Sequence, residues 1–566
     1  LFNGSTNQMI KKIVVVGGGF AGWYTAITLQ YRLRDVELTV ISSDRHATLG
    51  VGEALGWDAR SNFENLCGIT NEREFMYQTG ATYKYGVTGI NFFKDSHSVS
   101  WGRFLNLKAS SLCNFYNDFD KNHFDNIVNR DPDDPGVTDY WLSLYHGQRN
   151  YQDLCVDIGE NIHFSTKPVA PFDLHNRYIL RNAQAQRYGL HIDADRSGQF
   201  LKQVVAERNQ NPALGYSKVT HVVDTVQDVV LDNQGSIDYL LMENGDQIRA
   251  DLFIDASGTS RVLMKKSANN SWLPSDERYP DSAWACPSDY VDPEKELTGA
   301  VKFYGEDHGW RFQIPLYHRQ GNGYIFNSRQ TDPEIPLGKM KEITNGVRIV
   351  EPRLIAWTPG EYTTPWQGNV FPLGLSSGFI DPWANGSYEA HSRALEDLVE
   401  LLPRPDSLEN LAKEYNRRRS LNLEERRLRR DIPFGISQRS GPFWDTRREL
   451  AQDKNVMQNL QDIILGRRTD LDQRLRHHWT HSYIRYALAA DVDMKNWNFP
   501  ALPQKHVEMV NAFFDYNRQR NRYISQSSWP NNYLWLQKNI FHEETSHDTF
   551  RRLQLEKYKS TRMKLA

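Results

Sequence analysis

The stretch IVVVGGGFAGWYTAITL, Ile13 to Leu29, decides the architecture. Ile13 to Val16 is an unbroken β-branched run of the kind buried on both faces of a parallel sheet. Gly17, Gly19 and Gly22 follow at G-x-G-x-x-G spacing, which predicts a helix opening at the glycines. Along that helix Tyr24, Ile27 and Tyr31 form one apolar stripe and Ala26, Leu29 and Leu33 a neighbouring one, so a wide face should be covered. A second strand, VELTVIS, closes the strand-helix-strand unit at Ser42. Bare backbone at the glycines lets a pyrophosphate approach the helix N-terminus, where open N–H groups and the helix dipole favour negative charge. A dinucleotide is therefore predicted, with a ligand-free glycine turn as the plainer alternative. Where a carboxylate would hold the ribose, the chain has Ser42 and Ser43, with Asp44 beyond; serine makes the weaker hydrogen bond.

Two further segments bear on which dinucleotide. GVGEA, Gly50 to Ala54, sets Gly52 and Glu53 in a tight loop, where a glutamate is an odd choice for mere flexibility. ADLFIDASGTSR places Asp255 and Gly258 directly after a hydrophobic strand, an arrangement that suits the other end of FAD better than NAD; an ordinary strand-turn is the bland alternative.

Composition bounds the partners. The chain has 566 residues, 39% hydrophobic and 12% aromatic, enough for a large core, and a formal charge of −3. That balance gives no pull toward nucleic acid or an anionic membrane and favours a small-molecule partner. No stretch approaches the roughly 20 apolar residues that span a bilayer, and no charged-then-apolar leader precedes the first strand, so a cytoplasmic protein is expected. Cys67, Cys113, Cys155 and Cys286 are widely separated and form no Cys-x-x-Cys pair, against both a disulfide framework and a zinc ribbon. NRDPDDPGVTD, within residues 129–139, is a solvated turn by composition.

The segment GWRFQIPLYHRQGNGYIFNS, Gly309 to Ser328, makes the pattern specific. It resembles the G-W-x-W-x-I-P motif and the following strand of flavin-dependent halogenases of the tryptophan type. GGGFAGW, GVGEA, TYKYG, LHIDA, ADLFIDASG and GLSSGFIDP match the same family in the same order, and the chain resembles a divergent member over nearly its whole length. The resemblance implies an α/β fold: a Rossmann-like FAD module of the GR2 type with mixed sheets, residues 9–391, and a mostly helical substrate-covering module, residues 392–566. A substrate-wall insertion at about 95–185 is part of the first. It implies a reaction in which reduced FAD, supplied by a separate reductase, oxygen and halide give hypohalous acid, which a lysine relays to an aromatic small molecule.

The position matching that lysine is Lys84. Read as one strand, TYKYGVTGINF sends Tyr83 and Tyr85 to one face and Lys84 to the other with Thr82, Gly86 and Thr88. Forming a haloamine would need burial to lower the lysine pKa; hydrogen-bonding the oxidant would not. Both roles stay open. The resemblance further places Gly17, Gly19, Phe20, Ala21, Gly22, Ser42, Gly52, Glu53, Val226, Asp255, Gly258, Leu375 and Ser387 on FAD, and the amides of Asn385 and Gly386 on halide. Trp310, Phe312, Pro315, Trp101, Phe104 and Trp479 line the tunnel and substrate region. Core packing explains Trp101 and Phe104 equally well.

Two departures from the family stand out. Phe312 replaces the motif's second tryptophan, which keeps an aromatic wall and drops an N–H donor. Ala384 stands where tryptophan-specific members carry a glutamate, so the usual acidic partner of the lysine is missing; Asp381 and Glu389 lie nearby in sequence. An activated ring, a phenol, indole or electron-rich heteroarene, tolerates that loss better than free tryptophan.

From about Ser392 apolar residues recur at helical spacing in SLNLEERRLRRDI and VEMVNAFFDYNRQRNRYI. The arginine-dense run from Arg417 to Arg430 is interleaved with Glu424 and Glu425 and is expected to be a solvated helix face. Of His477, His478 and His481, only the first and last share a helix face, and two ligands make a poor metal site; no metal is expected. A flavin aromatic hydroxylase and a flavin-holding protein without chemistry are the competing functions. Native substrate, halide preference and self-association are open.

Overall fold

The computed structural model describes residues 10–43, 51–56, 59–101, 141, 144–145, 148–158, 170, 188–267, 271–383, 386–404, 406–421, 423–464, 486–492, 504–524 and 529–541. A five-stranded parallel sheet carries the opening motif, in the order Val370–Pro372, Leu252–Asp255, Lys12–Val16, Glu37–Ser42, Val219–Val223. Ile13 to Val16 sit at its centre and are all buried, as a β-branched run with neighbours on both edges requires. The helix Phe20–Arg32 starts with Gly19 as its N-cap, and Gly22 to Gln30 are buried without interruption. It packs under the helix Ala194–Asn209 on one side, so both predicted apolar stripes are covered.

A second, seven-stranded sheet runs Arg353–Ala356, Ser282–Ala285, Arg319–Phe326, Gly309–Leu316, Ala300–Glu306, Gly86–Ile90, Ser98–Trp101. All its pairings are antiparallel except that of Ala300–Glu306 with Gly86–Ile90. A small antiparallel sheet of Glu53–Ala54, Gly189–Ile192 and Thr82–Lys84 lies beside it, tied on by the Thr82 hydroxyl, which donates to the Pro315 carbonyl at 2.6 Å. Asp193, fully buried, caps the helix Ala194–Asn209 and accepts from Arg319 at 2.8 Å and from His318 at 3.3 Å. Burial pushes its carboxyl up, but Arg319 and His318 overcome that and hold it well below the usual carboxylate range. The LHIDA block is thus an anchor between the two sheets.

Thr82 to Ile90 is not one strand. Thr82–Lys84 belongs to the small sheet and Gly86–Ile90 to the large one, and the chain changes partner at Tyr85, whose amide donates to the Gly299 carbonyl at 2.6 Å. Gly299 has no Cβ because the Tyr85 ring occupies that place, 1.9 Å from where one would stand. Alternation cannot reveal such a switch, because the side chains keep their faces through it: Tyr83 and Tyr85 remain stacked, 6.5 Å between centroids.

Beyond residue 386 the described chain is helical, including Gly386–Leu401, Leu408–Leu421, Leu423–Gly435, Pro442–Asp453 and Gln504–Ile524. One apolar core joins Trp310, Phe303 and Phe312 of the large sheet to Phe434, Trp444 and Phe513 of these helices. No described helix is long and apolar enough to cross a membrane. Cys67, Cys155 and Cys286 are buried and form no disulfide among the described residues; Cys113 and residues 129–139 lie outside the described residues.

Candidate functional site

A cleft of about 1030 Å³ opens at the carboxyl ends of the parallel strands, where ligands of open α/β sheets bind. Its wall includes Gly17, Gly19, Phe20, Ala21, Ser42, Glu53, Val226, Gly258 and Leu375, nine of the residues the sequence nominates for the cofactor. Gly17 sits at φ +135°, and a Cβ there would lie 2.2 Å from the Ala256 carbonyl oxygen; one on Gly22 would lie 1.8 Å from that of Gly17. Strand, turn and helix touch through backbone alone, which leaves the helix N-terminus open to the cleft. The volume and this cradle fit a dinucleotide the size of FAD.

Other nominated residues act beneath the wall. Asp255 is fully buried and accepts from the Ser257 amide and hydroxyl and the Leu263 and Met264 amides, at 2.6–3.0 Å, fixing the turn that carries Gly258. Gly52, at φ +88°, packs by Ile314 and Leu316. Ser387 falls in the first turn of the helix Gly386–Leu401, with its side chain outside the described residues.

Sequence patterns missed several wall residues. The Ser42 hydroxyl is within 2.8 Å of His221 Nε2 and that of Ser43 within 2.9 Å of the Thr225 hydroxyl, so both serines are shared with the neighbouring strand segment. Tyr388 stacks on Tyr24 and lines the cleft with His391, whose imidazole burial pushes down to about 3. These residues come from distant segments without periodic or motif context, so no sequence signal marks them.

Lys84 is 4% exposed. Burial lowers its ammonium from 10.5 to about 7, Arg429 pushes the same way, and Glu389 opposes. Its strand is one edge of the small sheet; the other edge, Glu53–Ala54, belongs to the cleft wall. The two edges lie two strand spacings apart, roughly 10 Å. Across from Thr82 is His191, 0% exposed. The Thr82 hydroxyl spends its one hydrogen on Pro315, so at the 3.1 Å contact His191 Nδ1 must donate. His191 is therefore the Nδ1–H tautomer, with Nε2 a buried lone pair that has no partner among the described residues.

Trp310 and Phe312 share one face of their strand, with ring centroids 6.2 Å apart, and Trp383 closes on Trp310 at 5.5 Å. Pro315 faces the other way and reaches the lysine strand through its carbonyl. Phe312 lies over Gly323, whose missing Cβ would stand 2.3 Å from its ring. Trp101 ends a strand paired with Val87, its side chain outside the described residues, and Gly386 opens a helix. Asp44, Phe104, Ala384, Asn385, His477, His478, Trp479 and His481 lie outside the described residues. Of the two nearby acids, Asp381 is engaged by Arg447 at 2.7 Å, while Glu389 bonds Arg429 at 2.7 Å and Arg393 at 2.9 Å.

A glycine-cradled cleft beside a buried, deprotonation-prone lysine and a Trp-x-Phe-x-Ile-Pro strand defines a flavoprotein of the halogenase class. The tryptophan halogenase family model matches residues 12–498, and the chain belongs to that family of flavin-dependent enzymes. It is 27% identical over 462 residues to the tryptophan 7-halogenase RebH of Lentzea aerocolonigenes, covering 81% of this chain and 82% of that protein. It is 28% identical over 426 residues to the tryptophan 6-halogenase SttH of Streptomyces toxytricini, covering 72% and 74%. The fold matches the crystal structure of a tryptophan halogenase from Shewanella frigidimarina with a TM-score of 0.75 at 21% identity, over 95% of this chain and 99% of that one.

Proposed function

We propose that the protein halogenates an electron-rich aromatic small molecule and that Lys84 delivers the halogen. The observation that carries this is the burial of Lys84, which brings its ammonium to about 7 so that the amine is populated at neutral pH. FAD held along Gly17–Ala21, Ser42, Glu53, Val226, Gly258 and Leu375 would, once reduced by a separate reductase, supply the two electrons that activate oxygen, and that oxygen is the oxidant that takes halide to hypohalous acid. Halide rests on the amides of Asn385 and Gly386. Residues 9–391 form the flavin module, with the wall insertion at about 95–185, and 392–566 the substrate module.

The neutral Lys84 amine attacks the halogen of hypohalous acid: an N–halogen bond forms, the O–halogen bond breaks, and the leaving hydroxide takes an amine proton to become water. Transfer to the ring then forms a carbon–halogen bond, returns the electron pair to nitrogen, and the ring loses a proton. The strands separating cleft and lysine keep the oxidant from being spent where it is made. Trp310, Phe312 and Pro315 form the wall, with Trp101, Phe104 and Trp479 around the substrate. Relatives are named as tryptophan halogenases; with Ala384 in place of a glutamate, this chain is matched to rings activated enough to react without that carboxylate.

The test is a reaction with FAD, a reductase, oxygen, each halide and a panel of phenols, indoles and heteroarenes, read by product mass. A halogen mass shift that Lys84→Ala removes is expected. A gain of oxygen instead would make the protein a hydroxylase, and no product with any ring would leave only flavin binding.

A further inference from the structure

The arginine run is a solvated face over only part of its length: Arg417 is exposed, whereas Arg429 and Arg430 are largely covered. Its first half ends the helix Leu408–Leu421, where Arg418 is taken up by Asp397, Glu400 and Glu414 at 2.7–3.0 Å. Its second half turns partly inward on the helix Leu423–Gly435 and, with the segment from Gly374 to Asp381, lines a half-open cavity of about 100 Å³. Several charges there are already matched. Arg429 bonds Glu389, Arg430 bonds Asp431, and Asp381 belongs to Arg447.

Arg419, Arg426 and Arg427 remain. Glu361 is the one described carboxylate that serves them, from 3.4 Å for Arg426 and 3.5 Å for Arg427, the long end of an ion pair. The Arg426 Nε is buried with no acceptor. Among the described residues, these three guanidiniums face one carboxylate across this part of the cavity. Burial first, and then Arg419 beside it, bring Arg426 down to about 9, far below a guanidinium's ordinary range. Guanidinium does not give up its proton in proteins to relieve such strain, and a partly buried charge held only by long ion pairs is costly. A counter-anion relieves both.

We propose that this cavity is an anion-binding site, held by Arg419, Arg426 and Arg427, for one small monovalent anion, a halide or a carboxylate group. Its guanidinium lining suits a single ion or one carboxylate group. Gly374 lines both this cavity and the nucleotide cleft, so the anion sits next to the flavin-binding region. The site is independent of the halide position proposed at Asn385 and Gly386 and of whether the chain performs halogenation.

The experiment titrates the intact protein with sodium bromide and with sodium acetate at constant ionic strength, following the thermal midpoint, and locates bromide in crystals by anomalous scattering. We expect saturable stabilisation by bromide, an anomalous peak between Arg419 and Arg426, and about tenfold weaker binding in Arg419→Gln and in Arg426→Gln, the worth of one charge-assisted hydrogen bond. Both variants should keep or gain stability at low salt, because like-charge crowding is relieved. Glu361→Gln should bind bromide several-fold more tightly, which serves if an arginine variant fails to fold. Acetate displacing bromide assigns the site to carboxylates, and bromide undisplaced by acetate to halide. An unsaturable salt response common to all variants, a bromide peak at residues 385–386 alone, or weaker binding in Glu361→Gln would overturn the proposal. Absence of halogenated product with saturable binding intact would sink the halogenase function and leave this site standing.

Discussion

The nucleotide cleft and the lysine strand each present positive character, and they do so with different material. At the cleft it comes from amide dipoles after Gly17, which carry no net charge and are cheap to bury. At Lys84 it comes from a whole ammonium, which burial pushes toward the neutral amine. The first arrangement holds an anion without changing anything's protonation. The second makes protonation itself the variable, as nucleophilic chemistry near neutral pH requires.

The largest test of this contrast is Lys84→Ala. It should lower halogenation at least ~100-fold while FAD titration, followed by flavin fluorescence, stays unchanged; equal loss of both would merge the two regions into one. Gly22→Ala is the converse. Its methyl meets the Gly17 carbonyl 1.8 Å away, and we expect FAD affinity to fall at least ~10-fold, with a stability cost of about 3 kcal/mol, read by fluorescence titration and urea melts. Asp255→Asn, which sets a donor against buried amides, should cost about 2 kcal/mol and weaken FAD through the Gly258 turn.

Stability against pH sharpens the contrast further. Lys84 holds its proton in the unfolded chain up to 10.5 but loses it near 7 when folded, so the unfolded state binds more protons between those values and stability rises with pH there. Glu53 is raised by burial from 4.5 to about 7, so the folded state binds more protons and stability falls across that window. Urea melts of the flavin-free protein should show a shallow minimum near pH 7. Lys84→Met should flatten the alkaline limb, by at most about 5 kcal/mol, and Glu53→Gln the acid one. The smallest effect is expected of Phe312→Trp: the ring already lies over Gly323, and turnover should change by no more than about threefold, the scale of a tolerated aromatic swap.

Much of the cleft was legible because a phosphate cradle is local. The glycines, the strand before them and the helix after them are consecutive, and a missing Cβ is visible as a letter. The place of Asp255 at a strand end was legible for the same reason, but not its role: it lies beneath the cleft wall with its carboxylate spent on its own turn. Tyr388 and His391 were not legible, since they meet Phe20 and Thr25 across more than 360 positions. The arginine run misled because alternating charges look alike on a solvated helix and on one that turns half its length inward; Arg429 and Arg430 are each 12% exposed.

The amino-acid order alone determined the parallel sheet, the helix that opens at the glycines and the family, because those depend on neighbours within a few turns of chain. Tertiary structure decided the protonation of Lys84, the tautomer of His191, the change of sheet at Tyr85 and the gathering of Arg419, Arg426 and Arg427 around one cavity. Each is set by desolvation and by partners from remote segments, and a dielectric environment exists only once the chain has closed around it.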